Sequence, residues 1–572
     1  MTPIQRFIEL VSFERKEITS IYFYAIISGL IYLTLPLGIQ SIINLLFGGL
    51  ISTSVVVLIL IVVLGVVLNG WIQIMQMRVN ERIQRRIFTR YSLQFGYKIP
   101  RLDLIAIDDY YLPELVNRFF DTASLQKGLS KVLLDFPSAS VQIIFGLALL
   151  CFYSPIFIFL GIILVALIAL ILRFTYPRGI KTSLEESDYK FEVGYWLEET
   201  ARTIKSMKFM GKVDFPLDKT DELVSGYLDA RESHFKVLQI QYWAFVMFKV
   251  IITAALLIVG CYLVIEQQIN IGQFIASEIV IITLLNSVEK IIVSLDVIYD
   301  MLTSLEKLGK LLDKPIERTG GMKISDTGNG SGISITAEKL SYKYPDMDTY
   351  VLDDINLNIK AGEHVCIFGT EGSGKSTLLK ILIGAYNDFK GNLLYNDIPL
   401  GNLDMNGLRK KFGVYLNSPD VFTGTLLENL TLGDTEIDIK HILQIAGDTG
   451  LLPYIQSLKE GLDTPLDSVG KKLPRNTLNK ILLTRALIAK PQLLILEDCW
   501  SALELNEQEK IIPSLLNNKA THTLIGVTNN PLFATLCHKV LILDKGKIVA
   551  YGTFDEVQKT PEYNNLFKQL SL

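Results

Sequence analysis

The sequence predicts two domains of different class on one chain: a membrane all-α domain of six helices, followed by a soluble α/β domain built on a phosphate-binding loop. Three observations predict this. Residues 1–300 carry several long apolar runs, whereas residues 320–572 have ordinary soluble composition. Lys and Arg in the first half concentrate in alternate connections between those runs. Finally, Gly369–Ser376 reads G-T-E-G-S-G-K-S between an apolar strand and a helix. The expected limits are 1–313 for the membrane domain, 314–333 for a linker and 334–572 for the soluble domain.

The expected membrane spans are Ile21–Leu46, Val55–Ile74, Ala139–Tyr153, Ile156–Leu172, Trp243–Ile265 and Phe274–Ile292. Ala139–Tyr153 is short, and Val132–Leu134 with Pro137 extend it toward about 20 residues. Pro155 divides the third span from the fourth. Connections at Gly48–Ser54, Ser154–Pro155 and Glu266–Ile271 lack Lys and Arg; Met75–Ser138 and Arg173–Tyr242 are rich in both, as is the stretch holding Arg6, Arg15 and Lys16. The positive-inside rule therefore places both termini and both long loops in the cytoplasm. The two loops have helical patterning, so each is expected to be a down-and-back helical pair projecting tens of ångströms. Thr2–Phe13 reads as a short amphipathic stretch along the inner interface, with no cleavable signal peptide or protease domain expected before Ile21.

Gly320-Gly321 and Gly328–Gly332 mark the linker. Beyond it, His364–Phe368 forms the apolar strand, and Thr377–Leu382 continues the helix after the loop. Glycines allow successive N–H groups to point inward at phosphate oxygens, and the helix adds its positive end. Lys375 would neutralise the β/γ-phosphates, and the Ser376 hydroxyl would ligate Mg²⁺. A glycine-rich structural turn is the plainer reading, and both flanks argue against it. Glu371 inside the loop brings a negative charge near the phosphates or points to solvent.

Composition excludes other classes. A net charge of −4 offers no case for nucleic-acid binding. The five cysteines are scattered without CxxC spacing, so neither a zinc site nor a disulfide framework is expected. The sixth span carries Glu278, Asn286, Glu289 and Lys290. Glu278 and Glu289 share a helix face, because three turns separate them. They read either as a polar stripe along a substrate pathway, suited to a basic peptide segment, or as interhelical partners of Lys249 or Lys290.

Six spans, two long cytoplasmic loops and a C-terminal phosphate-loop domain resemble an ABC exporter half-transporter over essentially the full length. Leu37–Asn44 and Pro113–Arg118 resemble the type I secretion and peptide-export branch. The resemblance implies an ATP-Mg²⁺ site held by Gly369, Thr370, Glu371, Gly372, Ser373, Gly374, Lys375, Ser376 and Thr377. It implies that Tyr344 stacks on adenine, a buried structural tyrosine being the alternative. Asp109–Leu115 and Glu198–Ile204 become candidates for short helices that dock on a nucleotide domain.

Departures from the family pattern begin after the loop. Asn417 stands where the family has the glutamine that touches Mg²⁺. Leu473, Pro474, Arg475, Asn476 and Thr477 align with the signature Leu-Ser-Gly-Gly-Gln, anchored by Arg485–Leu487 downstream and Gly461–Thr464 upstream. Pro474 lacks an N–H, and the Arg475 and Asn476 side chains obstruct close approach to phosphate. Glu497-Asp498 exchanges the lengths of the family's Asp-Glu pair, leaving Glu497 for Mg²⁺ and Asp498 for the attacking water. Asp498 is one methylene short for that task, and displacements near 1 Å cost on the order of 10²-fold in rate. Ser501-Ala502-Leu503-Glu504 again substitutes Glu for Asp, and Asn529 replaces the histidine that contacts the γ-phosphate.

These changes together point to ATP binding with slow or absent hydrolysis. Because the resemblance implies that each nucleotide lies between one subunit's loop and the other's signature, defects on both sides favour a homodimer over a heterodimer. The implied role is export of a peptide or protein from a bacterial-type inner membrane, with a periplasmic adaptor and an outer-membrane channel as partners. The alternative is a nucleotide-responsive membrane scaffold or regulatory subunit of a secretion complex.

Overall fold

The computed structural model describes residues 2–47, 53–153, 156–212, 214–324, 332–345, 347–417, 421–470, 472–501, 503–517 and 522–570. The connections expected around residues 48–52 and 154–155, the linker segment 325–331, Ser418-Pro419 and Ala502 lie outside the described residues. The chain forms two compact units, one of Met1–Leu102 and Ala106–Ile316, the other of Asp103–Ile105 and Glu317–Leu572.

The first unit is helical: α1 (Pro3–Phe13), α2 (Arg15–Tyr32), α3 (Thr34–Phe47), α4 (Thr53–Lys98), α5 (Leu112–Asn117), α6 (Asp121–Tyr153), α7 (Ile156–Arg202), α8 (Ile204–Phe209), α9 (Phe215–Ile265) and α10 (Ile271–Leu312). Thr2 and Gln5 close a capping box at the start of α1, and Asn270 and Gln273 close another on α10. Among the described residues, five helical stretches are long and apolar enough to cross a membrane: Arg15–Phe47, Thr53–Arg101, Leu112–Tyr153, Phe215–Ile265 and Ile271–Leu312. The sixth expected span, Ile156–Leu172, lies on α7. As expected, α4, α7 and α10 run from apolar segments into charged extensions, α9 runs from a charged extension into its apolar segment, and α6 passes through Pro137.

The first expected span lies within the apolar stretch Arg15–Phe47 and is built of two helices meeting at Leu33. Pro36 has no N–H to return to Tyr32 O, and beside it Thr34 Oγ1 donates to Ile31 O at 2.6 Å. Asp109–Leu115 is not one helix. A 3₁₀ turn at Ile105–Ile107 precedes α5, whose start is set by Pro113 in its first turn. Glu198–Ile204 is likewise divided, because α7 continues to Arg202 and α8 begins only after Thr203.

Small residues let α6 and α10 approach closely. A Cβ added at Gly128 would lie 2.6 Å from Met301 Cβ, and one at Gly146 would lie 2.9 Å from Leu284. Lys307 is fully buried on α10, where Asp188 of α7 supplies its counter-charge and the Phe191 ring lies 5.7 Å away.

The second unit contains strands β1 (Ile335–Tyr342), β2 (Leu352–Ile359), β3 (His364–Phe368), β4 (Lys390–Tyr395), β5 (Ile398–Pro399), β6 (Phe412–Tyr415), β7 (Gly424–Thr425), β8 (Pro465–Leu466), β9 (Leu493–Glu497), β10 (Thr523–Val527), β11 (Lys539–Asp544) and β12 (Lys547–Gly552). An antiparallel sheet has the order β2-β1-β4-β5, and the larger sheet has the order β12-β11-β3-β10-β9-β6. In the larger sheet β11, β3, β10, β9 and β6 are parallel. Their strands are apolar along their length, as burial on both faces requires. Within the expected linker, Glu317 pairs with Arg409 at 2.5 Å and Met322 N donates to Asn402 O at 2.7 Å.

Three histidines meet at the N-terminal edge of the central strands. His364 N donates to His538 Nδ1 at 3.0 Å, and the His364 ring stacks 5.7 Å from His522. Burial, reinforced by His522 and His538, pushes His364 down to about 4. The folded value is below the unfolded one, about 6.5, so this stabilisation is full above pH 6.5 and fades as pH falls toward 4.

Two outcomes are expected. Unfolding of the full chain should lose on the order of 3 kcal/mol between pH 7 and 4 through His364, and His364→Leu should flatten that slope; parallel pH curves would refute the assignment. Gly128→Val should lower thermal stability in lipid by about 1–3 kcal/mol, whereas Gly70→Ala, with open space at its Cβ, should be close to neutral.

Candidate nucleotide site

The parallel sheet delivers the predicted residues to one edge. Val527 of β10 stands beside Ile367 of β3 and Glu497 of β9, and Tyr415 of β6 stands beside Leu496 of β9. The segments that follow these strands therefore leave the sheet side by side at its C-terminal edge. They are the loop from Gly369, Asn417, Asp498 and Thr528-Asn529.

The loop itself depends on glycine at two points. Gly374 has φ +99°, and a Cβ there would lie 2.9 Å from Val351 O. A Cβ at Gly369 would lie 2.4 Å from Leu543 O. The helix α11 (Lys375–Leu382) starts directly after Gly374, so its free N–H groups face the loop interior. Lys375 Nζ donates to Gly369 O at 2.8 Å and Thr370 O at 2.6 Å, and lies 3.4 Å from Ser373 Oγ. Burial lowers the Lys375 pKa, while Glu371, Glu497 and Asp498 oppose that shift.

A cavity of 610 Å³ opens over this loop. Glu371, Lys375, Ser376 and Thr377 line one side, with Asn417, Glu497, Asp498 and Asn529 opposite. Asn417 N donates to Glu497 Oε2 at 3.3 Å. Asp498 has φ +43°, and its N–H donates to Val527 O at 2.8 Å, so the strand ends in a bend that turns this residue over the cavity. Burial raises the Asp498 carboxyl pKa; Ser501 opposes the shift, Glu497 adds to it, and Arg475 and Lys375 act against it. Asn529 Oδ1 is buried, with no hydrogen-bond partner among the described residues.

Other predicted residues lie elsewhere. Tyr344 does not line the cavity. Its ring packs 5.3 Å from Tyr342 and 5.8 Å from Tyr386, and its hydroxyl lies 3.0 Å from Thr377 Oγ1. Leu473–Thr477 is also absent from the lining and leads into the helix Arg475–Ile488, with Pro474 as its N-cap and no side-chain capping bond. Glu289 of α10 meets Lys249 of α9 at 3.1 Å and accepts from Tyr242 OH at 3.4 Å. Glu278 is half-buried and Asn286 exposed.

Sequence reasoning missed several contributors. Val351, Val527 and Thr528 line the cavity. Asn530 caps the helix Pro531–Leu536, accepting from Leu532 N at 2.9 Å, and so helps set the turn that carries Asn529. Asn530-Pro531 was a readable helix-start signal. Glu507 accepts from Asn476 Nδ2 at 3.0 Å and pairs with Lys480, so the Asn476 side chain is tied inside its own unit.

Residues 18–288 match the family described as ABC transporter transmembrane region, and residues 352–501 match the family described as ABC transporter. The chain is 26% identical over 375 residues to the alpha-hemolysin translocation ATP-binding protein HlyB of Escherichia coli, covering 65% of this chain and 53% of that protein. It is 25% identical over 445 residues to the lactococcin-A transport/processing ATP-binding protein LcnC of Lactococcus lactis subsp. lactis, covering 77% of this chain and 61% of that one. The chain thus spans between half and two thirds of the length of these two relatives. The solved structure of a bacterial Atm1-family ABC exporter with ATP bound shares the fold, with a TM-score of 0.85 at 16% identity and 98% of each chain covered. With both regions of this family on a single polypeptide, the chain belongs to the ABC transporter family and is a half-transporter.

Proposed function

We propose that this half-transporter binds ATP-Mg²⁺ at the Lys375 loop, turns it over slowly and exports a peptide or protein as a homodimer. The observation that carries the reading is the shared cavity: Lys375, Ser376, Asn417, Glu497, Asp498 and Asn529 all line it. Loop N–H groups and Lys375 hold the β- and γ-phosphates, and Asn529 donates a hydrogen bond to the γ-phosphate without adding positive charge. Asp498 orients the attacking water from a side chain one methylene short, which accounts for slow turnover. Tyr344 offers the adenine a ring edge beside the loop, held there by its contact with Thr377.

The Ser376 hydroxyl, Asn417 amide and Glu497 carboxylate form an all-oxygen donor set suited to Mg²⁺. When bound, the ion supplies positive charge to the phosphate oxygens. Segment 473–477 serves as the signature toward the second subunit. Peptide or protein cargo is supported by the likeness to HlyB and LcnC, whose names give hemolysin translocation and lactococcin transport. Cargo passes along the face holding Glu278, Asn286 and Glu289, with the Lys249 pair as its counter-charge. The connections without Lys or Arg face away from the cytoplasm, and both termini lie on the cytoplasmic side of a bacterial-type inner membrane. A periplasmic adaptor and an outer-membrane channel complete the export path.

Substitutions at the signature, both carboxylates and Asn529 favour a second reading, in which ATP binding alone holds a membrane scaffold or regulatory subunit closed. Steady-state phosphate release from the purified chain in lipid separates the two. The exporter reading expects measurable turnover, at least tenfold lower in Asp498→Asn, and a rise of up to about 10²-fold in Asp498→Glu. Turnover indifferent to both substitutions would overturn it and leave the scaffold.

A further inference from the structure

Two charges beside the nucleotide cavity sit where each is unfavourable by itself. Glu371 is exposed on the phosphate loop and lines the cavity. A carboxylate there repels the same phosphate oxygens that the loop N–H groups and Lys375 attract. Burial lowers the Lys375 pKa and Glu371 opposes that shift, but no side chain offsets the acid itself. Among the described residues Glu371 makes no ion pair or hydrogen bond.

Arg475 has the opposite defect. It is the first residue of the helix Arg475–Ile488, whose free N–H groups make that end positive. A cation is disfavoured there, and the first turn contains no acid to compensate it. The Arg475 side chain is exposed, as is that of Lys472, so this segment presents positive charge to solvent. Among the described residues Arg475 also makes no ion pair or hydrogen bond.

Both charges belong to the same open face, yet they do not meet in one copy. Glu371 lines the cavity on the loop side, whereas Arg475 stands outside the lining. Arg475 is nevertheless near its far side: burial raises the Asp498 carboxyl pKa, and the Arg475 charge is among those that oppose the rise. A two-fold relation between copies exchanges such positions, because a contact from one copy to the other is always made in reverse as well. An acid and a base that flank one cavity unpaired are therefore suited to pair twice across such an axis.

We propose that when two copies associate, Glu371 of each pairs with the partner subunit's Arg475, so the second copy supplies the counter-charge that the phosphate loop lacks. The pairing rests on the homodimer reading of the nucleotide site, and it gives the segment 473–477 a definite task. That segment neutralises the acid of the loop instead of cradling phosphate with its own N–H groups, which Pro474 and the Arg475 side chain prevent. The repulsion between Glu371 and a bound triphosphate is then relieved only in the associated state. Nucleotide binding and association of the copies favour each other by the same free energy. A second copy of this chain is the fitting partner because the chain carries both halves of the complementary pair.

Retention of radiolabelled ATP with Mg²⁺ by the full-length chain in lipid tests the pairing through a double-substitution cycle. Arg475→Gln should weaken ATP binding about three- to tenfold while Glu371 is present, and that loss should shrink to within about twofold in the Glu371→Gln chain. An equal loss in both backgrounds would assign Arg475 to phosphate or to its own helix and overturn the pairing. Cross-linking reads whether the contact runs between copies. A chain carrying Glu371→Cys and Arg475→Cys, with Cys151 and Cys261 replaced by alanine, should form a covalent dimer with a short bismaleimide when ATP-Mg²⁺ is present, and neither single variant should. Retained ATP without that dimer overturns the pairing and leaves the nucleotide reading standing. No ATP retention by the unsubstituted chain overturns both.

Discussion

Parallel pairing of β3 with β10, and of β10 with β9, is the constraint on which the nucleotide site depends. Parallel strands end at the same edge, and the residues that follow them leave the sheet together. Lys375 comes from the first of these ends, Asp498 from the third and Asn529 from the second. No pair of these residues is close in sequence. A one-residue slip of β9 against β10 would carry Glu497 away from Val527 and break the Asp498–Val527 hydrogen bond that turns the chain over the cavity. The buried aliphatic side chains of these strands oppose such a slip, because alternate residues pack into separate cores on the two faces of the sheet.

The charge balance of the site follows from the same convergence. Lys375 is partly desolvated and satisfied by the carbonyls of its own loop, and Glu371, Glu497 and Asp498 keep its charge favourable. Asp498 meets the opposite pressure, since burial and Glu497 disfavour its charge. The helical unit handles charge differently, by pairing across helices: Lys307 with Asp188, Lys249 with Glu289, Arg231 with Glu186.

How much of this was legible in the sequence varies with the range of the interaction. The strand, loop and helix around Gly369–Ser376 were readable because glycine, lysine and their apolar flanks are contiguous. The long helices were readable because apolar runs pass directly into helical charge patterns. The break at Leu33 was masked by the apolar run around it, although Pro36 carried the signal. Asn476 reads locally as an obstruction, yet its amide is held by Glu507, 31 positions away, through packing of separate helices. The cluster of His364, His522 and His538 was invisible for the same reason, since only the strand order β11-β3-β10 brings them together. Tyr344 fits the spacing of an adenine platform, while its contacts with Tyr342, Tyr386 and Thr377 could be known only from the fold.

In the function proposed here, the C-terminal edge of this sheet clasps a nucleoside triphosphate more effectively than it cleaves one. Equilibrium binding of radiolabelled ATP with Mg²⁺ to the purified full-length chain in lipid, with inorganic phosphate counted in the same samples, tests it most directly. The account predicts saturable retention of intact ATP, lost in Lys375→Ala, with little phosphate released. No saturable binding, or retention unchanged in Lys375→Ala, would contradict it.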